Sequence, residues 1–237
     1  MGKENTMENT TATQFNIQEQ VTSVVNTMVA VITNPAAFFK SMPRTGGFNE
    51  PIIFLAAMGL VSAVLQILLS IFGLGMASTF IFSLLYIILF PVAYVIGGFV
   101  GGAILFLIWK VIGSRQDFET SFRCAAYMAA IGPATTVLNV IPYLGTILST
   151  GWWAYLSVMA SIEVHELEAK PAWIVFGCLA GLLILLSVPA QYKARQFAKE
   201  MDSISKKMGN IEDMSPEEAG KKLGEFMKGM QEGSGKK

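Results

Sequence analysis

The chain is divided by long apolar runs separated by short polar loops. From Pro51 to Trp109 it contains no Lys, Arg, Asp or Glu. Uncharged apolar stretches of about 18 residues or more have the length that crosses a bilayer as a helix. The first predicted span covers about Pro51 to Phe72. Proline is tolerated at its start because its missing N–H would have no helical partner there. The next stretch, Thr79 to Ile112, is long for one upright span and short for two. Pro91 inside it favours one tilted, kinked helix, with two short spans as the alternative. A charged loop, "KVIGSRQDFETSFR", leads to a third span over about Ser121–Ile141. "PYLG" turns into a fourth over about Thr146–Ile162, and "EVHELEAKP" precedes a fifth over about Ala172–Ala190. The fold class is therefore all-α, a multi-span helical membrane bundle of about five spans.

Ahead of the spans, residues 1–14 are polar and aperiodic, which predicts disorder. Ile17, Val21, Val24, Met28 and Val31 then recur at helical spacing, predicting an amphipathic helix that lies on the membrane or packs against the bundle. Asn34-Pro35 ends it. Phe38, Phe39, Lys40 and Arg44 have the composition of a membrane interface. The chain thus divides into a disordered 1–14, a pre-membrane segment 15–50, a membrane domain 51–190 and a charged tail 191–237. In the tail, Ser215, Pro216 and Glu218 read as a helix start. Leu223, Phe226, Met227 and Met230 form an adaptable apolar stripe suited to docking a protein partner or lipid.

Composition narrows the function. Just over half of the residues are hydrophobic and the formal net charge is zero, so nothing in the charge balance favours nucleic acid. The N-terminus lacks the apolar core of a cleavable signal. "MGKENT" matches the myristoylation pattern at Gly2 and Thr6, a short pattern that also arises by chance. Cys124 and Cys178 both fall in or beside spans and read as buried hydrophobes. No nucleophile elbow, phosphate loop or HExxH motif is present, so neither an enzyme nor a cofactor is expected. His165, with Glu163, Glu166 and Glu168, is a poor ligand set for zinc. It is retained as a pH-sensor candidate. Lys40, Arg44, Lys110, Arg115 and Arg123 fall on one side of a five-span topology. The positive-inside rule makes that side, and the N-terminus, cytoplasmic. The lysine-rich segment after residue 190 then lies outside, against the same rule.

The stretch "IGPATTVLNVIPYLG" decides between two roles. Gly132, Thr136 and Asn139 share one face of the third span, with Pro133 and Pro142 nearby. Thr146 and Thr150 share a face of the fourth. Small and hydroxyl residues allow close helix packing, whereas an interrupted polar helix is also how solute paths are built. No ionisable residue lies at depth in either span, which favours packing over transport. Gly97, Gly98, Gly101 and Gly102 form two overlapping GxxxG spacings, suited to internal packing or a homo-oligomer.

"NPAAFFKSMPRTGGFNEP" and "AAYMAAIGPATTVLNVIPYLGTILSTGWWAYLSVMASIEVHELEAKPAW" resemble the YIP family (Ypt/Rab-interacting proteins) in its bacterial form, with Tyr127, Pro133, Pro142, Gly145, Trp153, His165 and Lys170 at matching places. The resemblance spans roughly residues 30–190. It implies a five-span bundle with a cytoplasmic N-terminus, here in the inner membrane. Eukaryotic members are associated with small GTPases and membrane shape; their "DLYGP" motif is not seen in this chain. The expected function is a non-enzymatic membrane organiser or scaffold; a transporter or channel with a path between the third and fourth spans is the alternative.

Overall fold

The computed structural model describes residues 2–74 and 80–212, together with Gly224. The described residues form helices and no strand. In order these are α1 (Gly2–Thr33), α2 (Pro35–Ser41), α3 (Asn49–Ile71), α4 (Phe80–Ile112), α5 (Phe118–Met128), a 3₁₀ turn (Ala129–Ile131), α6 (Gly132–Leu138), α7 (Leu144–Glu163) and α8 (Ala169–Glu212). Two compact units are present, Met1–Leu185 and Leu186–Lys237. In the second, Tyr192, Phe197 and Met201 of α8 are exposed, and Gln196 donates to the Tyr192 hydroxyl. The tail stripe Leu223, Phe226, Met227 and Met230, and the helix start at Ser215–Glu218, lie outside the described residues.

Three described helices are long and apolar enough to cross a membrane: Asn49–Ile71, Leu84–Ile112 and Ala169–Met201. Their surfaces are inverted relative to a protein folded in water. Ile88, Ile96, Ile104, Leu107 and Val111 of α4 are exposed, whereas Ser62, Thr120, Arg123, Ser157 and His165 are buried. An apolar surface of this extent is stable against hydrocarbon, where helices satisfy their own backbone groups. Pro91 sits inside α4, which runs as one helix from Phe80 to Ile112 and does not divide into two spans.

The third predicted span is a broken one. The expected continuous helix over 121–141 becomes α5, the 3₁₀ turn and α6. Pro133 is the physical cause: it has no N–H for the carbonyl of Ala129, and its ring crowds that carbonyl. The turn tightens there, and the Gly132 N–H bonds Ala129 O at the shorter spacing. α7 begins at Leu144, and Tyr143 just before it has a positive φ of 63°. Gly145 follows because a Cβ there would run into Leu138 O and lie 2.7 Å from Asn139 Cα. The glycine is what lets α7 start against the end of α6.

The N-terminal segment differs from expectation in two ways and chooses between two open alternatives in a third. α1 is helical back through residues 2–14, which the sequence assigns to disorder; extending an existing helix costs far less than nucleating one. Val24, Met28, Val31 and Ile32 pack on the core, which selects bundle packing for the last turns of α1, while Val21 is exposed. Phe39 is a core residue rather than an interface anchor, because Asn34 caps α2, accepting from the Ala37 N–H at 3.3 Å, and turns it back onto the bundle.

Candidate functional site

The glycine-rich face of α4 has two separate ridges. Gly98 and Gly102 are consumed by packing: a Cβ on Gly98 would strike the Leu55 side chain, and one on Gly102 would lie 3.1 Å from Phe122 Cα. Gly59 plays the same part on α3, where a Cβ would lie 2.7 Å from Pro91 Cα. The other ridge, Gly97 and Gly101, meets nothing within 4 Å. It forms the floor of an open cleft of about 510 Å³ between α4, α5, α6, α7 and α8.

The cleft walls are mainly apolar, with Leu55, Leu105, Met128, Ile131, Trp153 and Leu183 among them. Tyr94, Thr135, Asn139, Ser149 and Thr150 supply its polar atoms. Among the described residues lining it there is no Asp, Glu, Lys, Arg or His. Of the residues singled out in the sequence, Gly97, Gly98, Gly101, Gly132, Asn139 and Thr150 come together here; Gly102, Pro133, Thr136, Pro142 and Thr146 do not line it.

The threonine and serine faces of α6 and α7 largely turn back on their own helices. Thr135 and Thr136 both donate to Gly132 O, at 2.8 and 3.0 Å. Ser157 donates to Trp153 O at 2.9 Å and Ser161 to Ser157 O at 2.6 Å. Gly132 is a contact glycine, since a Cβ there would collide with the Tyr94 hydroxyl, which itself shares a 2.8 Å hydrogen bond with Ser62. Ser149 is different: its Oγ is buried and has no hydrogen-bond partner.

A second cluster closes one end of the bundle, where three loops meet. Arg123, 1% exposed, donates from Nε to Pro43 O at 2.8 Å, from Nη1 to Gly47 O at 2.7 Å and from Nη2 to Glu50 at 3.3 Å. The Gly47 N–H donates to Glu119 at 2.7 Å, and Arg44 pairs with Glu166 at 2.8 Å. Asp117 caps α5; the Thr120 N–H and hydroxyl bonds hold its carboxyl below the usual carboxylate range. By sequence, Arg123 is only a charge of the loop before the third span. Its sole signal was its position at the head of the apolar run "CAAYMAA".

His165 lies in this cluster, buried against Trp109, with ring centroids 3.9 Å apart. Its Nδ1 is 2.7 Å from Ser114 Oγ, which also accepts from the Gln116 N–H. Trp109 Nε1 donates to Ser161 Oγ at 2.7 Å. Burial pushes the imidazole down to about 3, with the charges of Arg44 and Lys110 adding to the shift. The folded state therefore holds the ring neutral, and taking up a proton there opposes the fold.

The depressed value carries a sign. The unfolded imidazole takes up a proton near pH 6.5 and the folded one only near 3. Stability is therefore complete above about pH 6.5 and falls as the pH drops towards 3, by about 1.4 kcal/mol per pH unit. At pH 5 the loss is about 2 kcal/mol from this group. Melting the detergent-solubilised chain at pH 7.5 and pH 5 should show a drop that His165→Gln reduces; equal drops in both proteins would refute the assignment.

Apolar crossing helices, a polar loop clasp at one end and an uncharged cleft on the flank define a polytopic helical membrane protein. The chain belongs to the Yip1 domain family, whose model matches residues 29–190. No curated protein and no solved structure matches the chain.

Proposed function

We propose that this chain is a non-enzymatic, five-span organiser of the bilayer, which works through helix packing and through surfaces offered to lipid or to other chains. The observation that carries the reading is the use of the polar residues. The hydroxyls of Thr135, Thr136, Ser157 and Ser161 are bonded to backbone of their own helices, and the cleft beside them holds no ionisable group. A path for charged cargo ordinarily carries such a group at depth.

The five-span topology is supported by length and by the loop cluster. Residues 118–138 and 144–163 each extend roughly 30 Å as helix, enough to cross the hydrocarbon. The contacts Arg44–Glu166, Gly47–Glu119 and Arg123–Glu50 gather the segment before α3, the start of α5 and the loop after α7 at one end. That is the arrangement of five alternating crossings. The basic residues at this end support a cytoplasmic N-terminus, in a bacterial inner membrane. A homo-oligomer and a protein partner for the tail stripe belong to the same reading.

Thr150 is the position that separates an organiser from a transporter. Asn139 is exposed beside the α6–α7 turn, so it can meet water without any path, whereas Thr150 lies nearly two turns into α7. With Cys124 and Cys178 replaced by alanine, Thr150→Cys in sealed vesicles should resist membrane-impermeant thiol reagents from both sides. Cysteines in the 113–117 loop and in the tail report the two surfaces and the side of each. Rapid labelling of position 150 would replace the organiser with a solute pathway.

A further inference from the structure

The loop after α7 carries the single histidine of the chain and folds it inward. α7 ends on bonds from the Val164 and His165 N–H groups to Ala160 O and from the Leu167 N–H to Ser161 O. Between these residues Glu166 holds a φ of 54°, a left-handed conformation that a non-glycine residue keeps only where its surroundings impose it. Two contacts do so here. The Glu166 carboxylate pairs with Arg44 at 2.8 Å, and His165 is held against Trp109 near the end of α4.

The surroundings of the ring suit the neutral imidazole and not the cation. Nδ1 is paired with Ser114 Oγ at 2.7 Å, whereas Nε2 faces the Cys124 sulfur at 4.0 Å, a weak partner at long range. The cation carries an N–H on both nitrogens, so a second proton would leave one N–H buried without an oxygen acceptor. Charge acts in the same direction. The charged groups facing the ring are Arg44 from the segment before α3 and Lys110 from the last turn of α4, and both are cations. Glu166 is turned to Arg44, α5 presents the Cys124 thiol, and the loop after α4 presents the Ser114 hydroxyl. Once the loop swings out, the ring regains water and its ordinary affinity for a proton, and that proton then holds the loop open.

We propose that the 164–168 loop is an acid-operated latch: at neutral pH His165 fastens it against Trp109 and Ser114, and protonation of the swung-out ring releases it, freeing Arg44 from Glu166 and uncovering Cys124. Histidine is the side chain whose charge ordinarily changes between pH 5 and 8, and this one has no second histidine to share the role. The closed loop excludes the proton and the open loop takes it up near pH 6.5, so closure is complete above that value and is lost as the pH falls. Between pH 7.5 and 5 the opening constant rises about thirtyfold. The latch is independent of whether the bundle organises the bilayer or passes a solute.

The test is the reactivity of Cys124, which is fully buried beside the ring. The full chain carrying Cys178→Ala is treated in detergent with 4,4′-dithiodipyridine. Each rate is divided by that of glutathione at the same pH, which removes the pH dependence of the reagent itself. From pH 7.5 to 5 the relative rate should rise about thirtyfold, level above pH 7 and approaching tenfold per unit below pH 6, the form set by a single proton of ordinary histidine affinity. His165→Gln should give one relative rate at both pH values, whatever its level. Should that variant fail to fold, the single-proton curve of the histidine-bearing chain carries the result. Ser62→Cys, with both native cysteines replaced by alanine, reports the buried face of α3 against Tyr94. It should react about tenfold or more slowly than Cys124 at pH 5, because release of a loop costs less than unfolding the bundle. A relative rate at Cys124 unchanged with pH, an equal rise in His165→Gln, or a rise steeper than one proton would overturn the latch. Equal rates at positions 62 and 124 would overturn it too, since Cys124 would then be reached only through unfolding of the whole chain.

Discussion

Replacing Arg123 with methionine is expected to destabilise the folded chain by about 1–3 kcal/mol, the scale for losing hydrogen bonds from a charged donor offset by relief of the guanidinium's own burial cost. The loss comes from the backbone. Pro43 O and Gly47 O accept from the guanidinium at 2.8 and 2.7 Å, and methionine offers neither a donor. A hydrogen bond to a charged group is worth about 1.5–3 kcal/mol, and part of that returns here because Pro43 is exposed and Gly47 only half-buried, so both carbonyls can meet water. Glu50 contributes little, because it is largely exposed and returns to water once released. Glu50→Gln is therefore the discriminating control, with an expected effect under about 1 kcal/mol. Thermal melting of both variants in detergent checks the prediction. Arg123→Met melting with wild type, or no lower than Glu50→Gln, would show that the 43–50 segment does not depend on the guanidinium. Lysine should recover only part of the loss, since one ammonium on a flexible stem cannot reproduce the planar fork that reaches Pro43, Gly47 and Glu50 together.

Gly59→Leu is expected to cost about 3 kcal/mol or more, the upper part of the range for overpacking a close-packed interior. A Cβ at this position would lie 2.7 Å from Pro91 Cα and 2.8 Å from Pro91 N. These are backbone atoms, so no side chain can swing aside and the two helices must separate. The crossing of α3 and α4 carries Phe54, Leu55 and Met58 in the core, and separation would loosen all three. Gly101→Ala has the same chemistry in open space and should be neutral, or slightly stabilising through helix propensity. The pair isolates packing from propensity: similar melting temperatures for both would mean that α3 and α4 do not meet at Gly59.

The sequence separated roles poorly within its glycine motif. All four glycines of "GGFVGG" satisfy the same spacing, yet Gly98 and Gly102 face α3 and α5 while Gly97 and Gly101 face the cleft. The spacing was legible; the choice of ridge depends on which neighbours arrive, and no local rule encodes that. Thr136 was legible as a hydroxyl on a helix face, but whether it bonds its own Gly132 carbonyl or an adjacent helix is decided by rotamer and packing. Arg123 was the largest omission. A charge beside an apolar run reads as an interface residue, and only the return of residues 43–50 over α5 makes it a buried hub.

His165 shows the same division. Its residue type predicts titration near neutrality, and its environment, stacked on Trp109 and dried by burial, removes it. Intrinsic chemistry belongs to the residue, whereas solvation belongs to the fold.

By itself, the sequence determined the membrane class, the extent of α3 and α4, the break before Pro35 and the family resemblance. Each follows from local composition or from proline geometry, which need no distant partner. The tertiary structure alone decided that α1 and Phe39 join the bundle, that the 3₁₀ turn ahead of Pro133 is accommodated within it, that Arg123 ties the 43–50 segment to α5 and that one glycine ridge stays open. These outcomes depend on contacts between residues far apart in the chain, and hydrophobic periodicity records only that a face is buried or lipid-facing, never against what.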